Sequence, residues 1–323
     1  MSVDYQKIKS AIVPVSSFNL TIEEDKLFKK YNPLGYILFS RNYKDPAQLK
    51  KLIDSLKEAS GREDILIVID QEGERVARLR EPHFKVLQNA EKYGQEAKIN
   101  LEEAVKKLRA DFAIVGKQLK DVGINVNCAP VADLYQLDAN PIIGVRSYGG
   151  DIETVIALCK AVDAGLADSH VQSVVKHIPG HGRAKVDSHF QLPIVDTDLK
   201  TLLSTDFKVF QGLKSMKLAM TAHIVFTAID EDAPVTLSKK AIDYIRKNIG
   251  FCGLIMTDAL DMKALSGDIK EITRKASESG CDILLYCESN LSQIEAVLIS
   301  SHALNSEIVM KIKSLNYSTE KSF

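Results

Sequence analysis

Short apolar runs rich in β-branched residues alternate along this chain with longer stretches in which apolar residues recur every three or four positions. Runs of the first kind read as strands buried on both faces, and stretches of the second kind read as amphipathic helices. Eight strand-like runs are legible: Ala11–Val15, Gly35–Phe39, Ile65–Asp70, Ile124–Pro130, Ser173–Ile178, Leu218–Ile224, Gly253–Leu260 and Cys281–Cys287. Between Leu101 and Leu119, the residues Ala104, Leu108, Phe112, Val115 and Leu119 share one helical face, and Asn100 with Glu103 predicts a capping box at its start. Further helices are predicted over Pro46–Ala59, Ile152–Ala167, Leu199–Met216, Ser238–Asn248, Ile269–Ser279 and Leu291–Leu315. Repeated strand–helix units predict a parallel sheet, and eight of them predict an α/β fold of the closed (β/α)₈ type. A doubly wound open sheet is the alternative, but no glycine fingerprint for one occurs here.

Length fits this reading. A barrel uses about 250 residues as one unit, so the 323 residues are expected to form a single domain over 1–323. Lys and Arg number 42 against 43 Asp and Glu, so no global field draws the protein to nucleic acid or an anionic membrane, and the expected partner is a small molecule. The five cysteines are widely spaced and mostly flanked by apolar residues, which predicts reduced core thiols. Met1–Ser10 is polar, and no apolar run reaches the roughly 18 residues of a membrane span, so a soluble cytoplasmic protein is expected. A monomer is expected, and the polar end at Phe323 is expected to fray.

In a barrel, chemistry sits on the loops after the strands. Asp70, Lys176, His177, His223 and Asp258 all fall at or just past the ends of apolar runs. Asp258, delivered from a rigid strand end, has the placement of a nucleophile that could attack an anomeric carbon, and from position alone it serves equally well as a helix N-cap. Asp261 has the stronger claim to capping. Ile178–Pro193 reads as a long, mobile catalytic loop punctuated by proline and glycine. Within it, Asp187 and His189 stand two apart, so in an extended segment the carboxylate could hold one ring nitrogen and suit the imidazole to proton transfer. His177 and His181 lack a convincing partner set for a metal, and neither metal nor cofactor is expected. The stretch from Asp70 to Arg78 holds acids and arginines that suit a hydroxyl-binding rim or, more plainly, a local ion-pair network; Arg146 is a further donor.

Taken together, these segments resemble glycoside hydrolase family 3, specifically its single-domain bacterial β-N-acetylhexosaminidases. The resemblance spans about Ala11 to Cys287. It rests on Asp70-Gln71-Glu72-Gly73 with Arg75 and Arg78, Asn127-Cys128-Ala129-Pro130-Val131, Gly144-Val145-Arg146-Ser147-Tyr148-Gly149, Lys176-His177-Ile178-Pro179-Gly180-His181-Gly182, Asp187-Ser188-His189, Met220-Thr221-Ala222-His223 and Thr257-Asp258, in that order. It implies Asp258 as nucleophile, His189 as general acid/base and Asp187 as its orienting carboxylate, with Asp70, Arg78, Arg146, Lys176 and His177 on the sugar. The Asp187-Ser188-His189 loop marks the N-acetylglucosaminidase branch. The implied activity is that of a retaining exo-β-N-acetylglucosaminidase releasing terminal β-linked GlcNAc from GlcNAc-anhydromuramyl peptides in cell-wall recycling. A broader exo-glycosidase such as a β-glucosidase, a GlcNAc phosphorylase and a non-catalytic sugar-binding protein are the alternatives. Two positions depart from the family pattern: Glu74 stands where glycine is usual, and Ala259 replaces an acid that often follows the nucleophile.

Overall fold

Each strand run alternates between two cores. Ile12, Ile37, Leu66, Val68, Leu218, Met220, Leu254 and Met256 belong to one buried cluster, whereas their neighbours Ala11, Val13, Tyr36, Leu38, Ile65, Ile67, Ala219 and Ile255 belong to another that also holds the helix faces. A period of two that is apolar on both sides is what a closed parallel barrel with an outer helical ring requires. The computed structural model describes residues 4–315 and has this architecture. The expected fraying near Phe323 lies outside the described residues.

The strands are β1 (Lys9–Pro14), β2 (Pro33–Leu38), β3 (Leu66–Ile69), β4 (Val126–Asn127), β5 (in two pieces, Gln172–Ser173 and Val175–Ile178), β6 (Leu218–Thr221), β7 (Leu254–Met256) and β8 (Leu284–Leu285). All neighbours pair in parallel: β8 with β1, then β2, β3, β4 and the first piece of β5 in one ladder, and the second piece of β5 with β6 and β7 in another. A parallel bridge between Met256 and Ile283 joins β7 to β8 and closes the ring. All eight predicted strand runs are therefore present; β1 and β2 begin two residues earlier than predicted, and β3, β4, β6, β7 and β8 are shorter.

The helices are α1 (Ile22–Tyr31), α2 (Pro46–Ser60), α3 (Ala90–Ile99), α4 (Leu101–Asp121), α5 (Ile152–Ala167), α6 (Leu199–Ser204), α7 (Asp206–Gly212), α8 (Lys239–Tyr244), α9 (Ile269–Ser279), α10 (Leu291–Ser300) and α11 (Ser306–Lys313). Sequence reading missed α1 and α3. It also ran α6 into α7 and α10 into α11. Arg183 separates the first pair: its guanidinium bonds the Thr205 hydroxyl at 3.0 Å and Asp206 at 2.6 Å, and Thr205 leaves helical geometry at φ −130°, ψ −98°. The second pair is broken where Ser10 N–H donates to His302 and Leu304 N–H to Ile8, so this backbone pairs with the start of β1 instead of continuing a helix. The predicted Ser238–Asn248 helix begins as α8 and ends in a π turn over Ile245–Ile249. The capping box at α4 is half formed, because Asn100 accepts the Glu103 amide while the Glu103 carboxylate turns to Lys106.

α11 places Ile308 and Ile312 in the inner core beside Ile8. The barrel is thus plugged at the N-terminal ends of its strands, which leaves the opposite end for the site. Cys128, Cys159 and Cys281 are buried as expected of core thiols, Cys287 is half-buried and Cys252 is exposed. Among the described residues no helix is long and apolar enough to cross a membrane.

Candidate active site

A row of alternating charges forms the floor. Asp70 leaves the end of β3, and Glu72 follows on a short hairpin, Gln71–Gly73 with Val76–Ala77. The hairpin is held from inside: the Gln71 side chain accepts the Arg78 and Leu79 amides, and Asn127 clamps the Gln71 backbone. Lys176 rises from β5 between the acids, 2.9 Å from Asp70 and 2.7 Å from Glu72. Arg78 grips the other Asp70 oxygen at 3.0 Å, and Arg146 binds Glu72 with both Nε and Nη2 at 2.8 Å. Burial alone would raise both carboxyls, but Lys176 and Arg78 hold Asp70 far below the usual range and Arg146 with Lys176 brings Glu72 to about 2. Burial works against the Lys176 ammonium, yet the two acids raise it above its ordinary value. The five side chains stay ionised at neutral pH, with three cations against two anions and an excess of donors facing the pocket.

Asp258 stands just past β7. One of its oxygens accepts the Ala259 amide at 2.8 Å. Among the described residues the second oxygen has no hydrogen-bond partner, and Asp258 lines the pocket. Burial would raise this carboxyl, but His223, His177, the Ala259 amide and Lys176 outweigh it, so the group sits below its ordinary value and is ionised at neutral pH. It is not a helix cap: α9 is capped by Asp268. Asp261 does not cap either; it accepts the Cys287 amide at 2.8 Å and lines the pocket. His223 fixes the backbone here. Its Nε2 lies 2.9 Å from the Ala259 carbonyl, which can only accept, so the proton is on Nε2 and Nδ1 accepts from the Thr236 hydroxyl at 2.7 Å. Burial lowers His223 below its ordinary value and keeps it neutral.

His177, beside Lys176, points its Nδ1 at Asp133 at 2.6 Å. Asp133 is fully buried and also accepts the backbone N–H groups of His177 and His181. Burial pushes this carboxyl up, and the two histidines more than reverse that. With Nδ1–H committed to Asp133, Nε2 of His177 is the free nitrogen.

The loop after β5 returns over this floor. Asp187 Oδ1 accepts both the His189 amide and its Nδ1–H, each at 2.8 Å. The pairing expected from the two-residue spacing is present, but a turn closed by Phe190 N–H to the Asp187 carbonyl makes it, not an extended segment. Burial would raise Asp187, and the two bonds from His189 lower it. His189 is half exposed at 54% and lines the same pocket as Asp258, Asp70, Arg78, Arg146, Lys176 and His177. All eight residues that the family resemblance implies for the site therefore converge, seven on the pocket and Asp187 behind His189. The cavity measures about 380 Å³, which is in the range of small-ligand sites.

The sequence places Glu72 within the Asp70–Arg78 rim or ion-pair network, as found, but gives no individual role in this assembly to Asp133, His181 or Ser188. Asp133 had a readable signal, an acid just past a strand run. From the sequence His181 is an imidazole of the catalytic loop and a candidate metal ligand; in the structure its Nε2 meets the Ser188 hydroxyl at 2.9 Å. Among the described residues no group of three or more His, Cys, Asp or Glu is placed to hold a metal. Neither departure from the family pattern touches the charge row: Glu74 is on the outer side with Asn89 and Lys92, and Ala259 contributes backbone only.

The chain is similar to known proteins over most of its length. The Glycosyl hydrolase family 3 N terminal domain matches residues 6–314. A β-hexosaminidase of Glaesserella parasuis is 32% identical over 281 residues, covering 85% of this chain and 80% of its own, and one of Haemophilus influenzae is 31% identical over 297 residues, covering 90% and 82%. The structure of NagZ from Neisseria gonorrhoeae, solved with N-trifluoroacetyl-D-glucosamine, superposes with a TM-score of 0.87 at 30% identity, covering 97% of this chain and 91% of that one. A family 3 β-N-acetylglucosaminidase from Paenibacillus gives 0.88 at 29% identity, covering 100% and 65%. Barrel, charge row and a match over almost the whole described chain lead to one conclusion: this chain belongs to glycosyl hydrolase family 3.

Proposed function

We propose that the protein is a retaining exo-β-N-acetylglucosaminidase in which Asp258 is the nucleophile, His189 the general acid/base and Asp187 the group that orients His189. The observation that carries this reading is the convergence of an ionised, singly bonded carboxylate and a carboxylate-held imidazole on one small pocket. Because Asp187 takes Nδ1–H, the Nε2 of His189 is the nitrogen free to exchange a proton with the glycosidic oxygen. In the first step Asp258 attacks the anomeric carbon as Nε2–H protonates the departing oxygen. In the second, neutral Nε2 takes a proton from the water that cleaves the glycosyl ester. Asp70, Arg78, Arg146, Lys176 and His177 bind the sugar, and Arg78 offers a buried Nε–H without a partner that a sugar oxygen would satisfy.

The substrate we infer is terminal β-linked GlcNAc on peptidoglycan fragments, cleaved in the cytoplasm during cell-wall recycling by a monomer that acts as one barrel unit with a mobile loop at about 178–193. The β-hexosaminidase relatives and the NagZ structure with its glucosamine ligand support the sugar. Purified protein is expected to hydrolyse an aryl N-acetyl-β-glucosaminide with retention and to act far more weakly on the β-glucoside. A 2-fluoro donor is expected to label Asp258. His189→Ala is expected to lose on the order of 10² to 10⁴ in rate with a poor leaving group and much less with an activated aryl one. Inversion, label on another residue, or equal His189→Ala losses on both donors would each overturn the assignment. Release of free sugar, not sugar 1-phosphate, at millimolar phosphate is the expected result for water as acceptor.

A further inference from the structure

His181 and Ser188 belong to none of the roles above, yet they tie the acid/base loop to the floor of the site. Ser188 stands between Asp187 and His189, so whatever holds Ser188 sets where that pair sits. His181 is 2% exposed, and its Nε2 lies 2.9 Å from Ser188 Oγ. Its backbone N–H donates at 2.6 Å to Asp133, the same buried carboxylate that orients His177. On the other side the Ser188 carbonyl accepts the Ala264 amide at 3.2 Å, from the segment that follows Asp258.

The tautomer of His181 follows from what its other nitrogen lacks. Nδ1 is buried without a partner. A buried N–H with nothing to donate to is costlier than a bare ring lone pair, so the proton belongs on Nε2, where it is donated to Ser188 Oγ. The Ser188 O–H is then left over, and Ser188 lines the pocket.

We infer that His181 is a positioning residue for the acid/base: through Ser188 it pins the turn that carries Asp187 and His189 over the pocket, and through Asp133 it references that turn to the sugar-binding His177. The inference rests on the reading of His189 as the acid/base. It predicts a defect confined to the step that needs the acid, because Asp258 and the charge row are held by other contacts.

The experiment compares His181→Ala, His181→Gln, Ser188→Ala and the double alanine variant, with His189→Ala as reference, on a poor leaving-group aryl N-acetyl-β-glucosaminide and on a dinitrophenyl one. Both alanine variants are expected to lose on the order of tenfold to a hundredfold in kcat/KM on the poor leaving group and less than about threefold on the activated one. The double variant is expected to be no worse than either single one, since both cut the same link. Gln, whose amide N–H can reach Oγ, should restore most of the loss. Labelling of Asp258 by an activated 2-fluoro donor should proceed at nearly the parental rate in every variant. Equal losses on both donors, additive losses in the double variant, or no loss in Ser188→Ala would overturn the pin while leaving the acid/base assignment standing. A His189→Ala variant without leaving-group dependence would overturn the acid/base reading itself. Ser188→Ala removes a single buried hydroxyl and no bulk, so it keeps the test open if His181→Ala does not fold.

Discussion

Lys176 shows how much of the site rests on single side chains. Its ammonium is the only cation shared by Asp70 and Glu72 among the described residues, and its side chain is 3% exposed. Removing it leaves two neighbouring buried carboxylates with mutual repulsion and one arginine each, and breaking a buried ion pair from one side typically costs about 3–5 kcal/mol. Lys176→Met, of similar length and apolar, is expected to lower the urea unfolding midpoint correspondingly and to abolish measurable turnover. An unchanged midpoint would mean that the row is looser than these distances indicate. The two departures from the family pattern illustrate the opposite case. Ala259 acts through its amide and carbonyl, to Asp258 and His223, so its side chain carries no part of the geometry.

At the scale of elements, the loop after β5 is where the fold and the chemistry meet. Gly182 packs so closely on the preceding strand-end segment that a Cβ there would lie 2.0 Å from the Leu134 carbonyl oxygen. Backbone cannot yield that distance locally, so Gly182→Ala must displace the loop next to His181. We expect kcat/KM to fall at least tenfold, by analogy with other small misplacements of catalytic groups, with a stability loss of about 1–3 kcal/mol from overpacking. Steady-state kinetics alongside urea denaturation separates the two effects. Parental activity in Gly182→Ala would show that the loop adjusts without moving His189. The predicted helix bounds of α5 and α9 coincide with the observed ones, because each begins at an aspartate N-cap, and α9 ends at Gly280 in the left-handed region at φ 104°. The predicted continuity failed at α6–α7 and α10–α11 because distant groups, the Arg183 guanidinium and the edge of β1, take over the backbone there.

For the whole molecule, burying a constellation of charges and imidazoles makes stability depend on pH. Burial, with His177 close by, brings His181 down to about 4 in the folded state, against about 6.5 in an unfolded chain. Between those values the unfolded state binds the extra proton, so stability is full above about 6.5 and declines as pH falls towards 4. His223, also lowered by burial, acts with the same sign. Glu72, lowered from 4.5 to about 2, adds a second loss that begins only below 4.5. Thermal melts between pH 7.5 and 3 are therefore expected to show a falling Tm with two successive regions. His181→Gln should make the upper one shallower, leaving the His223 share, and leave the lower in place. A Tm independent of pH from 7 to 5 would contradict the neutral, buried state of these imidazoles.

The chain's own pattern determined the repeated strand–helix units, because a period of two within strands and of about 3.6 within helices is local information, and ring closure decided between barrel and open sheet. It also determined which residues stand at strand ends, and so which could reach the open mouth: Asp70, Lys176, His177 and Asp258 needed no long-range information. Motif order, with the Asp187-Ser188-His189 spacing, carried the dyad. Tertiary structure alone decided how these groups are joined. That Glu72 neutralises Arg146 from 74 positions away and that Asp133 serves His177 and His181 together are consequences of ring closure, and that His181 meets Ser188 follows from how their own loop folds back. Closure brings strand ends from across the sequence into one low-dielectric pocket, where partners are chosen by distance and burial, and no sequence spacing encodes either.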